Sequence, residues 1–232
     1  SLAQFDDPKA VSRFLNYPDA LFDKAAKSAG PKSRLLAQAG AATLILIFAP
    51  MRITNLNHLR IDQNLNWIDN RLHIHVPGSQ VKNGMELNFA LPQGPSDRIQ
   101  EYIDRYRPGF QLESNPYLFP GRKGPKDQSA LSKLITNNLF RHTGIRLTPH
   151  QFRHVAAKLL LDARPGHYEV VRKLLGHKNL STVYESYSGA ETQAAVDLYD
   201  EVIFDRKRGR SGKQKVNEGE PFLDPFNPFL KG

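Results

Sequence analysis

Cysteine is absent from this 232-residue chain, which excludes disulfides, thiol nucleophiles and cysteine-ligated zinc or iron–sulfur centres. Long apolar runs are absent as well. The most apolar stretch, residues 41–49, is about half of the roughly 18–20 residues that a membrane-spanning helix needs. It reads as a buried helix, and no membrane is expected as a partner. The opening residues are acidic and polar and offer no apolar signal-peptide core. With the lack of cysteine, this suits a cytoplasmic protein. Negative charge is the minority charge: 23 Asp and Glu stand against 32 Lys and Arg, a net +9. An excess of that size suits a polyanionic partner, because each Lys or Arg set against a phosphate releases condensed counterions. Nucleic acid is the first expectation; an anionic membrane surface, the second, lacks the amphipathic basic helix that would support it. Part of the excess is local, since residues 206–215 carry six basic side chains and no acidic one, which reads as a solvated tail. What is present is ordinary. Hydrophobic residues make up 40% and charged residues 24%, which supports a folded core in one large domain or two small ones.

The apolar pattern organises the chain. Residues 1–7 read as a leader. Pro18, followed by Asp19, Ala20, Leu21 and Phe22, reads as a helix start. Gly30-Pro31 reads as a breaker. Residues 33–48 are apolar almost all round, which predicts a helix buried on most sides, ended by Pro50. A short turn over 53–59 follows, then three strands. The first, within 59–68, is irregular. The second, 71–76, alternates, with Leu72, Ile74 and Val76 on one side. The third, 85–91, puts Leu87, Phe89 and Leu91 on one side. Residues 77–84 between the last two form a turn-rich hairpin loop ending in Asn83-Gly84. Helices are predicted over 96–106, 129–143, 148–162, 167–175, 181–188 and 191–204, with Thr148 as an N-cap and Pro149 at the first helical position. The expected fold class is therefore mainly α with a small antiparallel β-sheet, an α+β arrangement. Residues 1–204 form its body. Residues 205–232, basic and then rich in Pro and Phe, are expected to be a flexible tail. No internal repeat is visible.

Several polar residues punctuate this frame. Arg52 follows the buried helix directly, and an arginine there wants an anionic partner, although a helix-capping role is the simpler reading of that residue by itself. Lys82 sits on the hairpin loop, where a lysine is ordinarily just solvated. His150 and Arg153 stand three apart in the first turn of a helix, so they share a face near an N-terminus that favours anions. His150 and His154 also have the spacing of a metal pair. The residue after His150 is Gln151 where a zinc protease has Glu, and Arg153 would adjoin the metal, so metal is the weaker reading. His177 follows Gly176, which ends one helix just before the next begins. Tyr187 lies ten positions after His177. Cutting a DNA strand without metal requires a nucleophile, fixed cations for the phosphate oxygens and an acid for the leaving oxygen. Arginine suits the second task, because its fork donates two parallel bonds and keeps its charge.

In that order, Arg52, Lys82, His150 with Arg153, Leu175-Gly176-His177 and Tyr187 resemble the tyrosine recombinase (phage integrase) family over residues 31–200. The resemblance implies a catalytic domain in which Tyr187 attacks the scissile phosphate and forms a 3′-phosphotyrosine link. Arg52 and Arg153 would clamp the phosphate, and His150 and His177 would donate to it or manage the tyrosine proton. Lys82 would protonate the leaving 5′ oxygen. No metal or cofactor is implied. The implied partners are double-stranded DNA and further copies of the chain, as a tetramer on DNA, with accessory DNA-bending proteins possible. The implied setting is the nucleoid of a prokaryote, or a phage or mobile element. The chain opens on Ser1, and residues 1–16 are expected to be a leader or linker from a missing N-terminal DNA-binding domain. Two departures stand out. Many members carry Glu three residues after the first arginine, where this chain has Asn55, and many place the nucleophile nine residues after the histidine, where this chain has Ser186. Tyr184 is the alternative nucleophile. A type IB topoisomerase or a telomere resolvase would use the same parts, and a DNA-binding module without catalysis is the reading of another class.

Overall fold

A computed structural model describes residues 2–110, 114–181 and 183, all within one unit of the chain. A short 3-10 turn over Leu2–Phe5 leads into helix α1, Pro8–Ala26. The Asp7 side chain accepts from the Lys9 backbone N–H at 2.9 Å and Pro8 takes the first helical position, so α1 begins well before the proline that the sequence suggested. Pro18 lies inside α1. An interior proline costs about 3 kcal/mol, whereas each large apolar side chain buried is worth about 1.5–3 kcal/mol. Phe14, Tyr17, Leu21 and Phe22 are all buried on the face that Pro18 shares, so packing outweighs the broken ladder. Residues 2–16, read as a leader, are folded into this body through Phe5, Ala10 and Phe14.

Helix α2, Gly30–Phe48, is buried from Leu36 through Leu46. It approaches α1 closely at Gly40, where an added Cβ would come within 3.0 Å of the Phe22 ring and 3.3 Å of the Pro18 carbonyl. Helix α3, Ile53–Asn57, and the single turn α4, Ile61–Asn64, connect α2 to the sheet. The sheet is three antiparallel strands in the order β1 (Leu65–Ile68), β2 (Arg71–Val76), β3 (Leu87–Ala90). Only the last part of the irregular 59–68 segment is strand. Asp69 and Asn70 both take positive φ, 50° and 59°, which makes the tight turn between β1 and β2 that the sequence reading did not resolve. Leu72, Ile74 and Val76 point into the core, as the alternation predicted.

Helix α5, Gln93–Glu101, continues through a π turn over Tyr102–Tyr106. The buried Ser96 hydroxyl accepts from the Leu72 backbone N–H at 2.9 Å and so ties α5 to β2. Helices α6 (Gln128–Thr143), α7 (Pro149–Ala163) and α8 (Tyr168–Leu175) complete the described body. Thr148 and Gln151 form a capping box at the start of α7. Among the described residues the apolar interior divides into two clusters. The large one gathers α1, α2, the inner face of the sheet, α5, α6 and the start of α7. The small one comprises Ala157, Leu161, Tyr168, Val171, Leu175 and Val183. Among the described residues, no helix is long and apolar enough to cross a membrane. The predicted helices over 181–188 and 191–204, the tail 205–232, and both Tyr184 and Tyr187 lie outside the described residues, apart from Ser181 and Val183.

Candidate active site

The centre of the site is Arg153. It lies on the first turns of α7, three residues after the exposed His150, and only 3% of it is accessible. One terminal nitrogen donates to the Pro50 carbonyl at 2.8 Å, and the other donates to the Leu175 carbonyl at 2.8 Å. The second also stands 3.1 Å from His177 Nε2. Arg153 therefore joins Pro50, two residues beyond α2, to the end of α8 and the histidine beyond it. A guanidinium held by two carbonyls has a fixed fork, and the cost of orienting it is met in folding.

His177 is held by the helix end before it. Gly176 takes φ 59°, the left-handed conformation that closes α8, and the His177 N–H donates to the Arg172 carbonyl at 3.0 Å. Arg172 donates in turn to the His177 carbonyl at 2.9 Å while its other nitrogens pair with Glu169. Burial, then the charges of Arg153, Arg52 and His154, push the His177 pKa down to about 4. The imidazole is thus neutral at rest in a positive field. Burial and the neighbouring His150 and Arg153 also lower His154. His150 and His154 meet edge to face, with ring centroids 5.1 Å apart.

Arg52 is the N-cap residue of α3, which places it beside the Pro50 carbonyl that Arg153 holds. Asn55, one turn along, is buried, and its amide nitrogen has no hydrogen-bond partner among the described residues. Lys82 is exposed on the hairpin loop, and its neighbour Asn83 donates to the Gly176 carbonyl at 2.7 Å. From the same hairpin Leu87 abuts Gly176, where an added Cβ would lie 2.6 Å from Leu87 Cδ2. The lysine loop is therefore docked on the junction that presents His177. Of the six expected site residues, Arg52, Arg153 and His177 are brought together. His150 sits one turn from Arg153, Lys82 is one residue from the docking contact, and Tyr187 lies outside the described residues.

The sequence reading missed Asn83, Arg172 and Glu169 as positioning residues, and it weighed His154 only as a metal ligand. Asn83 carried a signal, the Asn-Gly pair, but that pair spoke of a turn and not of a partner 93 positions away. The Glu169–Arg172 spacing on one helix face was the available hint of the other two.

Comparison with known proteins gives the family and the fold. The model of the phage integrase family matches residues 9–194. This chain belongs to the phage integrase family. The match extends the resemblance to include α1. This integrase-family chain is 28% identical over 198 residues to tyrosine recombinase XerC of Brucella melitensis, covering 83% of this chain and 59% of that one. It is 28% identical over 159 residues to tyrosine recombinase XerA of Pyrococcus furiosus, covering 66% of this chain and 52% of that one. It thus spans between half and three fifths of these relatives. Its fold is shared with XerH site-specific recombinase bound to palindromic difH substrate, at a TM-score of 0.62 and 19% identity, covering 84% of this chain and 52% of that chain. It is shared also with XerA recombinase, at a TM-score of 0.55 and 19% identity, covering 81% and 64%.

Proposed function

We propose that this chain is the catalytic part of a site-specific DNA recombinase that cuts and rejoins strands through a 3′-phosphotyrosine intermediate. The observation that carries the reading is the positive pocket around His177. Arg52, Arg153 and His177, from three segments spread over more than half the chain, converge, and burial together with the positive field of the two arginines holds the His177 pKa down to about 4. Such a field favours a phosphate, and the buried, carbonyl-braced Arg153 supplies a donor that does not reorganise as charge develops.

In this reading the Tyr187 oxygen attacks phosphorus and the bond from phosphorus to the 5′ oxygen breaks. The tyrosine proton passes to His150 or His177. Lys82 gives a proton to the departing 5′ oxygen. Arg52 and Arg153 hold the non-bridging oxygens through both bond changes. The ester conserves the bond energy, so rejoining to a partner strand needs no external energy source. Double-stranded DNA is the substrate, and the working unit is a homotetramer on paired sites. The relatives, recombinases in each case, support the reading.

The test is covalent trapping. The protein is mixed with supercoiled DNA in EDTA, quenched in detergent and digested with nuclease, and the nucleotide-bearing peptide is located by mass. An adduct on Tyr187 that disappears in Tyr187→Phe is the expected result. An adduct on Tyr184 keeps the chemistry and moves the nucleophile. No adduct, also when the chain is fused to an N-terminal DNA-binding domain, overturns the reading in favour of a non-catalytic DNA-binding module.

A further inference from the structure

A groove of about 410 Å³ lies between the two elements that carry Arg52 and Lys82. Its lining is Thr54, His58, Arg60, Gln63, Gln80 and Tyr117. Thr54 stands two residues after Arg52, and Gln80 stands two residues before Lys82. The groove is therefore lined by close chain neighbours of two expected phosphate-site residues. Its chemistry differs from that of the site. Among the described residues no carboxylate lines it, and the arginine in its lining, Arg60, is already paired with Asp62 at 2.7 Å. A pocket whose arginine is neutralised is a poor phosphate receptor. What it offers is hydrogen-bonding edges and flat faces. His58 and Tyr117 meet edge to face with centroids 6.3 Å apart, and the Arg60 guanidinium lies 5.9 Å over the Tyr117 ring.

The polar groups are oriented. Asn64 donates both to the His75 carbonyl at 2.9 Å and to Gln80 Oε1 at 3.2 Å, so the Gln80 oxygen is engaged and its amide N–H₂ is left to donate. His58 Nδ1 stands 2.8 Å from the Thr54 carbonyl, which sets Nδ1 as the protonated nitrogen and leaves Nε2 as an acceptor. The Thr54 hydroxyl donates to Gln128 Oε1 at 3.1 Å. Gln63 brings a second amide with one donor edge and one acceptor edge. Paired amide edges beside aromatic and guanidinium planes are the chemistry that reads a nucleobase.

We infer that this groove is a nucleobase subsite that reads the base next to the scissile phosphate, with Gln63 and Gln80 as its specificity-determining residues. The inference deepens the proposed function, because it rests on Arg52 and Lys82 lying at the phosphate. The base is either presented as an edge within the duplex or unstacked into the groove.

The test is a binding selection from a randomised duplex library at low salt, run on the wild-type chain, on Gln63→Ala and on Gln80→Ala. The wild type is expected to enrich one or two adjacent base positions, and each variant is expected to lower that preference roughly tenfold while total DNA binding changes only a few-fold. A probe carrying 2-aminopurine at the enriched position separates the two sources. A rise in fluorescence on binding assigns an unstacked base, and no rise assigns an edge read in the duplex. No enrichment by the wild type, or the same preference in both variants, overturns the inference. The trapping of Tyr187 reports independently. An adduct with unchanged preferences removes the subsite alone, and altered preferences without an adduct remove the cleavage reading and leave a base-reading groove.

Discussion

The two apolar clusters are built differently, and the site lies on the seam between them. The large cluster holds α2 buried nearly all round and closes with contacts as tight as Gly40 against Phe22. Among the described residues the small one rests on six buried residues of α7, α8 and the segment beyond, with Val170 exposed. Arg153 bonds across both, to Pro50 at the edge of the large cluster and to Leu175 in the small one. Opening free energy follows the apolar area that each region buries, so the small cluster is the part expected to open first. On that expectation Arg52 is the more firmly positioned of the two residues and His177 the more easily moved.

The strongest way to break the contrast is inside the large cluster. Phe22→Ala removes a fully buried ring and is expected to cost about 3–5 kcal/mol in denaturant unfolding, with the whole body lost cooperatively. Arg153→Ala comes next. It leaves two carbonyls without their donor, at about 1–3 kcal/mol for each that stays buried. Hydrogen exchange is expected to rise over residues 168–183 well before it rises in α2, and Tyr187 adduct formation is expected to vanish. Gly176→Ala places a side chain at positive φ, worth about 1–2 kcal/mol, and drives it against Leu87. Its mark is faster exchange in the 77–84 loop as well as in α8, and unchanged exchange in that loop would dissociate the hairpin from the small cluster.

A pH titration sharpens the same contrast. His177 is lowered to about 4 and His154 is lowered as well, so the unfolded chain binds protons that the folded chain refuses. Their contribution is fully present above the ordinary histidine value of 6.5 and is lost as pH falls from there toward 4. Local exchange around 150–154 and 176–178 is expected to respond first. An anion such as vanadate, bound in the pocket, is expected to raise the His177 value toward 6.5, read by NMR. An unmoved value would place the anion elsewhere. The smallest effect belongs to Asn83→Ala, about 0.5–1.5 kcal/mol, with faster exchange confined to the hairpin loop.

Legibility in the sequence tracked the range of the interaction. β2, α6, α7 and α8 were readable to within a residue or two, because alternation, the Thr148 cap and the Gly176 stop are written in neighbouring positions. The start of α1 was misread, because Pro18 speaks locally against a helix interior while its cost is offset by α2, a separate segment. The turn at Asp69-Asn70 was missed because neither residue is glycine, although Asp and Asn tolerate positive φ. The ordered set of candidate site residues was legible as a pattern, but not the contacts that bring Arg52, Arg153 and His177 together.

The sequence by itself determined the element types, the order of the basic and histidine residues along the chain, and the family, since all three depend on residue identity and spacing. Only the tertiary structure decided that Arg153 is braced by the carbonyls of Pro50 and Leu175, that Asn83 docks the Lys82 loop on Gly176, and that His177 is held neutral. Those bonds use backbone atoms that every residue carries, across 22 to 103 positions of chain, so no side-chain pattern encodes them. They exist only once packing has set the distances.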